Sequence, residues 1–474
     1  MMSLRDKSVL VLGLGETGLS LARWLSAQGA RVRVADSRTN PPGVDVLRRD
    51  CPQAEVRCGQ FEPHLLKDIE LIAISPGVPL ADPFVQIAIG RGIPVVGDIE
   101  LFAQQLNAQS SVLNPKVIAI TGSNGKTTVT SMIEHLCRAA GKDAVAAGNI
   151  SPAVLDVVLA RGEKQPEVWV LELSSFQLET TENLNADAAT VLNISEDHLD
   201  RYSGMDGYAG AKARIFRGCA VQLLNRDDLR SMSMAQQRAV SFGLDAPRNE
   251  DDWGVERDGG DIWLVQGKQR LLKASELQVA GLHNVANALA ALALCRAIGL
   301  PLPALLEALR SFTGLPHRVE RVAEISGVIY YDDSKGTNVG ATEAALKGLG
   351  RKAVVILGGE GKGQDFAPLN AVVAQHARAV VLIGRDAPLI EVALQGCGVP
   401  LQRAADMDDA VRQAAGLAQR GDAVLLSPAC ASFDMFRNYA HRAEVFIAAV
   451  HGLQKPVLSS VEGPVLSPVE GGAA

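Results

Sequence analysis

The run Gly122-Ser123-Asn124-Gly125-Lys126-Thr127-Thr128 has the residue types needed to hold a polyphosphate. Gly122 and Gly125 can adopt backbone conformations closed to other residues, so successive N–H groups can point at an anion over a helix N-terminus. Lys126 adds a mobile charge for the outer phosphates, and Thr127 a hydroxyl for the accompanying magnesium. The spacing departs from G-x-x-x-x-G-K-[ST], because Ile120 stands where the first glycine belongs. A tight turn with a surface lysine is the plain alternative. The β-branched run from Val117 to Ile120 before the loop and the helical pattern after it favour the phosphate loop.

A second glycine pattern, Gly13-x-Gly15-x-x-Gly18, follows the apolar run Ser8 to Leu12 and leads through a helical stretch to a second strand ending at Asp36. That is a βαβ nucleotide fingerprint, in which Asp36 would accept hydrogen bonds from a ribose. It specifies a diphosphate and a ribose but not which nucleotide. Other residues able to do chemistry lie at strand ends or helix starts. Glu172 is a carboxylate inside an apolar strand pattern, costly there unless it is paired or bound to metal. A structural acid satisfied by a neighbouring lysine fits it equally well. Glu196, Asp197, His198 and Asp200 cluster after another apolar run, where parallel sheets place their sites. Lys212 lies in an alanine-bearing helical stretch, where a solvated lysine is the alternative reading. His283, Asn284 and Asn287 gather at the start of a long alanine-rich helix, where they could simply cap it.

These residues must be positioned by more than one core. A chain of 474 residues suggests about three domains. With 47% hydrophobic, 21% charged and only 4% aromatic residues, it reads as a globular protein packed mainly by Ala, Val, Leu and Ile. A formal charge of -7 gives no general field for nucleic acid or an anionic membrane, so neither is an expected partner. The seven cysteines are scattered and never form C-x-x-C, which argues against disulfides, zinc and a redox dithiol. They read as buried thiols in a reducing cytoplasm. No leader pattern precedes the first strand, and the apolar region from Ala288 to Leu309 is broken by Arg296, Pro301 and Pro303, so no membrane insertion is expected.

The expected fold is α/β, with three domains each built on a mostly parallel sheet. Residues 1–108 form a Rossmann-like domain, 109–314 a central phosphate-loop ATPase-like domain, and 315–450 a C-terminal Rossmann-like domain of repeated βα units. Residues 451–474 hold two Pro- and Gly-punctuated copies, PVLSSVEG and PVLSPVEG, which read as a disordered tail.

Eight segments in order, TGSNGKTT, LELSSFQLE, NISEDHLDRY, GLHNVANALAA, LPHRVE, YYDDSKGTN, LGGEGKG and SPACASFDMFRNY, closely resemble the Mur ligases of peptidoglycan synthesis. The resemblance runs from about Val9 to Phe446, and the shortened phosphate loop is itself a trait of that family. It implies a cytoplasmic, monomeric, ATP-dependent amide ligase that adds D-glutamate to UDP-N-acetylmuramoyl-L-alanine through an acyl phosphate. Lys126, Glu172, His198 and Lys212 would be catalytic, with magnesium held by Thr127, Glu172, His198 and a Lys212 carbamylated by carbon dioxide. ATP would be bound by Gly122 to Thr128 together with Asn287, Arg318, Asp333 and Lys335. The UDP-sugar would meet Glu16, Thr17, Asp36, Ser37, Arg38, Gly77, Asn149, Ser174, Gln177 and His198. D-Glutamate would meet Thr337, Lys362, Ser432, Phe433 and Tyr439.

Folylpolyglutamate synthases share the central and third domains but lack an N-terminal βαβ nucleotide domain. An NAD-dependent oxidoreductase would explain Gly13, Gly15, Gly18 and Asp36 but leaves the phosphate loop and the last domain without a task. A non-catalytic nucleotide switch leaves the second nucleotide site unexplained.

Overall fold

The computed structural model describes residues 4–109, 114–197, 201–236 and 239–453. The chain divides into two compact units, Met1–Pro316 with Asn338–Gly350 and Lys362–Pro368, and His317–Thr337 with Arg351–Gly361 and Leu369–Ala474. Among the described residues the strands form three sheets, each flanked by helices, as the α/β expectation required.

In the first unit, β1 (Ser8–Leu12), β2 (Arg31–Asp36), β3 (Glu55–Cys58), β4 (Leu71–Ile74) and β5 (Val95–Val96) form a parallel sheet in the order β3-β2-β1-β4-β5. The order reverses between β1 and β4, which opens a crevice beyond their carboxyl ends. The second sheet runs through β6 (Lys116–Thr121), β7 (Ala144–Gly148), β8 (Val168–Glu172), β9 (Ala188–Val191), β10 (Val221–Asn225), β11 (Ala239–Phe242), β12 (Trp253–Asp258), β13 (Asp261–Gln266) and β14 (Gln269–Lys273). Its order is β14-β13-β12-β11-β10-β9-β6-β8-β7, with the phosphate-loop strand β6 between β8 and β9. The antiparallel pairing of β12 to β14 was not foreseen.

Small residues bring the chemistry-bearing helices together. Ala288, Ala290, Ala291 and Ala293 of the helix Leu282–Ala297 are buried in the same cluster as Met132, Ile133 and Leu136 of the helix Lys126–Ala139. Alanine on the contact face lets helix axes approach closely. Three aromatics pack among core residues drawn from both sheets of this unit. Trp24, Phe102 and Trp169 share one buried cluster, with the Phe102 and Trp169 rings edge-on at 4.8 Å. Such a pair adds about 1 kcal/mol beyond its buried area.

In the second unit, β15 (Glu320–Ile325), β16 (Val328–Asp332), β17 (Ala353–Gly358), β18 (Ala377–Ile383), β19 (Leu401–Arg403) and β20 (Ala423–Leu426) form a sheet in the order β15-β16-β20-β17-β18-β19. The four apolar strands expected from the sequence are the central ones. The unforeseen edges, β15 and β19, carry charged residues, as edge strands commonly do, and β15 runs antiparallel to β16.

Two further expectations need correction. The cysteines are all free thiols, but Cys58 is exposed and Cys219 half-buried. The tail was expected from residue 451, whereas His451 and Gly452 finish the helix Tyr439–Gly452; residues 454–474 lie outside the described residues. No described helix is long and apolar enough to cross a membrane.

Candidate functional site

A cavity of about 510 Å³ lies at the crevice of the first sheet. Its walls are the loops after β1, β2 and β4, joined by residues of the loop after β7 and by Gln177. Glu16, Thr17, Asp36, Ser37, Arg38, Gly77, Asn149 and Gln177 all line it. A Cβ on Gly18 would stand 1.8 Å from the Gly13 carbonyl oxygen, so the third glycine is required by close packing of helix on loop. Ser174 is not among the lining residues. Its hydroxyl instead accepts from Gln177 N at 3.1 Å, while Gln177 Oε1 accepts from Ser174 N at 3.1 Å, a capping box for the helix Ser175–Glu179.

Asp36 differs from its expected part as a ribose acceptor. Its carboxylate takes hydrogen bonds from Leu14 N at 2.6 Å, Arg38 N at 2.9 Å, Arg38 Nε at 2.8 Å and Arg38 Nη2 at 2.7 Å. Four donors fill the lone-pair positions of a carboxylate. Burial pushes its pKa up, but the bonds from Arg38 and Leu14 outweigh this and hold it below the ordinary value. Asp36 therefore shapes the glycine loop and aims Arg38 along the cavity wall.

The phosphate loop follows β6. Gly122 and Gly125 have φ of +151° and +85°, the conformations for which glycine was expected. Lys126 Nζ turns back to donate to the carbonyls of Gly122 at 2.6 Å and Ser123 at 2.9 Å. Thr127 and Thr128 occupy the first turn of the helix Lys126–Ala139. Asn287 lies against the loop, since a Cβ on Gly125 would stand 2.8 Å from its Oδ1. The helix Leu282–Ala297 has no side-chain cap, so the capping alternative for His283, Asn284 and Asn287 is not realised. His283 is half-buried with its Nδ1 enclosed, and desolvation lowers its pKa to about 4.

Glu172 ends β8, in register with Ile120 of β6. It is 2% exposed; its Oε1 accepts from Asn149 Nδ2 at 2.8 Å, and its Oε2 is buried with no hydrogen-bond partner. The partner is thus an asparagine of the cavity wall, not the lysine of the structural alternative. Lys212, on the helix Met205–Ala213, is also 2% exposed, which removes the reading as a solvated lysine. Its Nζ donates to Gly122 O at 3.0 Å and Thr121 Oγ1 at 3.2 Å. Burial holds its pKa well below the ordinary value; the Lys126 ammonium pushes the same way, and Asp197 and Glu172 oppose it. His198 and Asp200 lie outside the described residues.

The second unit carries Arg318, Asp333, Lys335, Thr337, Ser432, Phe433 and Tyr439, while Lys362 is an exposed loop residue of the first. Arg318 sits between two residues with left-handed backbone, His317 at φ +63° and Val319 at φ +51°. A β-branched residue there is strained and persists only where its surroundings hold it. His317 Nδ1 bonds Asp332 Oδ2 at 2.7 Å, His317 N donates to Glu320 Oε2 at 2.8 Å, and Lys335 N donates to the His317 carbonyl at 3.2 Å. Burial raises Asp333 to about 7, against a hydrogen bond from Ser427 Oγ at 2.7 Å. Lys335 Nζ stands 3.8 Å over the Tyr439 ring. Ser432 is buried and Phe433 is 66% exposed.

Three family models match the chain in succession: the Mur ligase MurD-like N-terminal domain over residues 7–97, the Mur ligase middle domain over 120–295, and the Mur ligase glutamate ligase domain over 317–430. The chain is 59% identical over 459 residues to the UDP-N-acetylmuramoylalanine--D-glutamate ligase of Nitrosospira multiformis, covering 96% of this chain and 97% of that protein. It is 58% identical to the enzyme of the same name from Methylobacillus flagellatus, covering 97% of this chain and 100% of that one.

The chain belongs to the Mur ligases, in their D-glutamate-adding branch.

Solved structures agree on the Mur ligase fold. A pseudomurein peptide ligase type C from Methanothermus fervidus superposes with a TM-score of 0.61 at 19% identity, covering 95% of this chain and 100% of that one. The UDP-N-acetylmuramate-alanine ligase of Thermotoga maritima gives 0.58 at 19% identity, covering 94% and 100%.

The residues present in this Mur ligase fit a divalent cation. A buried carboxylate oxygen without a partner, Glu172 Oε2, is costly unless something positive approaches it, and it ends the strand beside the phosphate loop. Three positioning residues escaped the sequence reading. Arg201 donates to the Pro76 carbonyl at 2.7 Å and pairs with Glu179 at 3.1 Å, tying a cavity loop to the helix that carries Gln177. Asp98 accepts from Gln177 Nε2 at 3.1 Å. Arg442 is fully buried and donates to Ser334 Oγ and O and to the Cys430 carbonyl, joining the loops after β16 and β20. Charged residues near helix or loop starts normally read as solvated, and nothing in their spacing marks these three.

Proposed function

We propose that this Mur ligase uses its described groups to join D-glutamate to UDP-N-acetylmuramoyl-L-alanine at the expense of ATP, as follows. The observation that carries the reading is the link through Asn149, which lines the cavity and donates to Glu172 at the strand end beside the phosphate loop. A ligand held by its nucleotide end at the first sheet would present its far end there. The L-alanyl carboxylate attacks the γ-phosphate of ATP to give an acyl phosphate and ADP. The amine of D-glutamate then adds to the acyl carbon, and the tetrahedral intermediate expels phosphate to leave the amide.

The first step sets anion against anion, so the site must concentrate positive charge. Lys126 would turn from its loop carbonyls to the γ-phosphate, trading neutral acceptors for a charged one. The N–H groups of Ser123 and Asn124 are donated to Asn193, so the other N–H groups of the loop would hold the remaining phosphates. Thr127, Glu172, His198 and a carbamylated Lys212 would hold magnesium, which supplies further charge neutralisation when bound. Only a neutral amine reacts with carbon dioxide, and burial, which lowers the Lys212 pKa, favours that form. Asn287, Arg318, Asp333 and Lys335 would contact the rest of ATP, and Thr337, Lys362, Ser432, Phe433 and Tyr439 the D-glutamate. We assign these tasks to residues 109–314 and 315–450, and UDP binding to 1–108, in a monomeric cytoplasmic enzyme.

The test is phosphate release from ATP with substrates omitted in turn. Release should require both UDP-N-acetylmuramoyl-L-alanine and D-glutamate, and should be lost in Lys126→Ala. Release that ignores either substrate would overturn the assignment.

A further inference from the structure

Asn338 lies 214 residues downstream of Asn124, yet both belong to the first unit and their side chains meet. The Asn338 amide works at both ends. Its Oδ1 accepts from Ala341 N at 2.9 Å, capping the helix Val339–Gly348, and its Nδ2 donates to Asn124 Oδ1 at 3.1 Å. Asn338 is only 8% exposed.

Asn124 is held on its other sides by the loop after β9. Its backbone N–H donates to Asn193 Oδ1 at 2.8 Å, its carbonyl accepts from Asn193 Nδ2 at 3.0 Å, and its own Nδ2 donates to Ser195 Oγ at 3.2 Å. Among the described residues, the contact from Asn338 is therefore the one side-chain bond on Asn124 Oδ1. Gly340 makes room for it: a Cβ there would stand 3.1 Å from Ser195 Oγ and 3.2 Å from Asn124 Nδ2. The helix is fixed elsewhere as well, by Val339 N donating to Gln364 Oε1 at 3.0 Å and by the His283 ring against Gly348.

We propose that Asn338 is a positioning residue for the phosphate loop: its side-chain amide fixes Asn124, and through it the loop N–H groups that receive the polyphosphate. This rests on the reading of Gly122 to Thr128 as the ATP site. N–H groups that must converge on one anion bind it best when their directions are set beforehand, because ordering them on binding subtracts from affinity. Asn193 orients the peptide of Asn124, and Asn338 keeps its side chain from turning into the space above the loop.

Asn338→Ser separates this role from helix capping, since serine is as good a cap but too short to reach Asn124. In the full-length protein, calorimetric titration with magnesium-ATP should show binding weakened roughly three- to tenfold, the worth of one neutral hydrogen bond. The melting temperature should stay within about 2 °C of wild type, and the KM for D-glutamate should not move. Asn124→Ala and the double variant Asn124→Ala/Asn338→Ser should bind equally weakly, because the second change removes a bond already lost. Wild-type affinity in Asn338→Ser overturns the proposal, as does a double variant whose loss is the sum of the single losses. Lys126→Ala tells the two failures apart. If it binds ATP as wild type does, the ATP site itself is misassigned and the proposal falls with it; if it binds weakly while Asn338→Ser binds normally, only the role of Asn338 is wrong.

Discussion

Asn149 grips Glu172 twice, its side-chain amide donating to Oε1 at 2.8 Å and its backbone N–H to the Glu172 carbonyl at 2.7 Å. The close approach depends on Gly148, where a Cβ would stand 2.3 Å from the same carbonyl oxygen. One residue of the cavity wall thereby orients the carboxylate and leaves Oε2 buried without a hydrogen-bond partner.

Lys212→Ala should be nearly inactive in phosphate release and should recover partly when acetate is added, because a small carboxylate can fill the vacated space and supply the missing anion. Lys212→Arg should be inactive and unrescued, since guanidinium keeps its charge and bulk. Full activity in either variant would remove the carbamate from the account.

Asp98→Asn should stabilise the protein at neutral pH. Burial raises the Asp98 carboxyl from 3.8 to about 6, and its Oδ1 has no partner. For an acid whose folded pKa is raised, the favourable contribution is complete below the unfolded pKa and is lost as pH rises through the folded one. Wild type therefore loses stability between about pH 4 and pH 6, by roughly 3 kcal/mol at most. Asparagine has no proton to lose, and it can still accept from Gln177. The melting temperature of the variant should exceed that of wild type at about pH 7.5, with the gap narrowing toward about pH 5. A gap independent of pH would show that ionised Asp98 is not what is removed.

The phosphate loop and the glycine fingerprint were legible because each follows a local pattern of strand, glycines and helix, with Gly13, Gly122 and Gly125 at positive φ, whereas most cavity-lining residues came from the family resemblance. Asp36 shows the limit. Its type and position suited a ribose, but its occupancy is decided by Arg38 two residues on, whose side-chain direction no pattern reveals. The hairpin strands β12 and β13 left a local signal in the Gly259-Gly260 turn, but nothing in that turn says that they extend the central sheet. Asn338 and Arg442 owe their roles to partners far away in the chain, and such pairings are set by tertiary packing alone.

Lys362→Ala should raise the KM for D-glutamate far more than that for ATP, because its ammonium is assigned to the amino acid's carboxylate. Losing one partner of such a pair costs about 2 to 5 kcal/mol when it is desolvated. Steady-state kinetics with each substrate varied in turn would show it, and equal rises for both would move Lys362 to the nucleotide.

The central claim is that the substrate carboxylate itself attacks ATP. It is tested most directly by labelling that carboxylate with oxygen-18 and measuring the inorganic phosphate released in the presence of D-glutamate. Attack through an acyl phosphate carries one labelled oxygen into each phosphate, because the carboxylate oxygen that bonds phosphorus leaves with it. Phosphate free of label, formed alongside the amide product, would contradict the account.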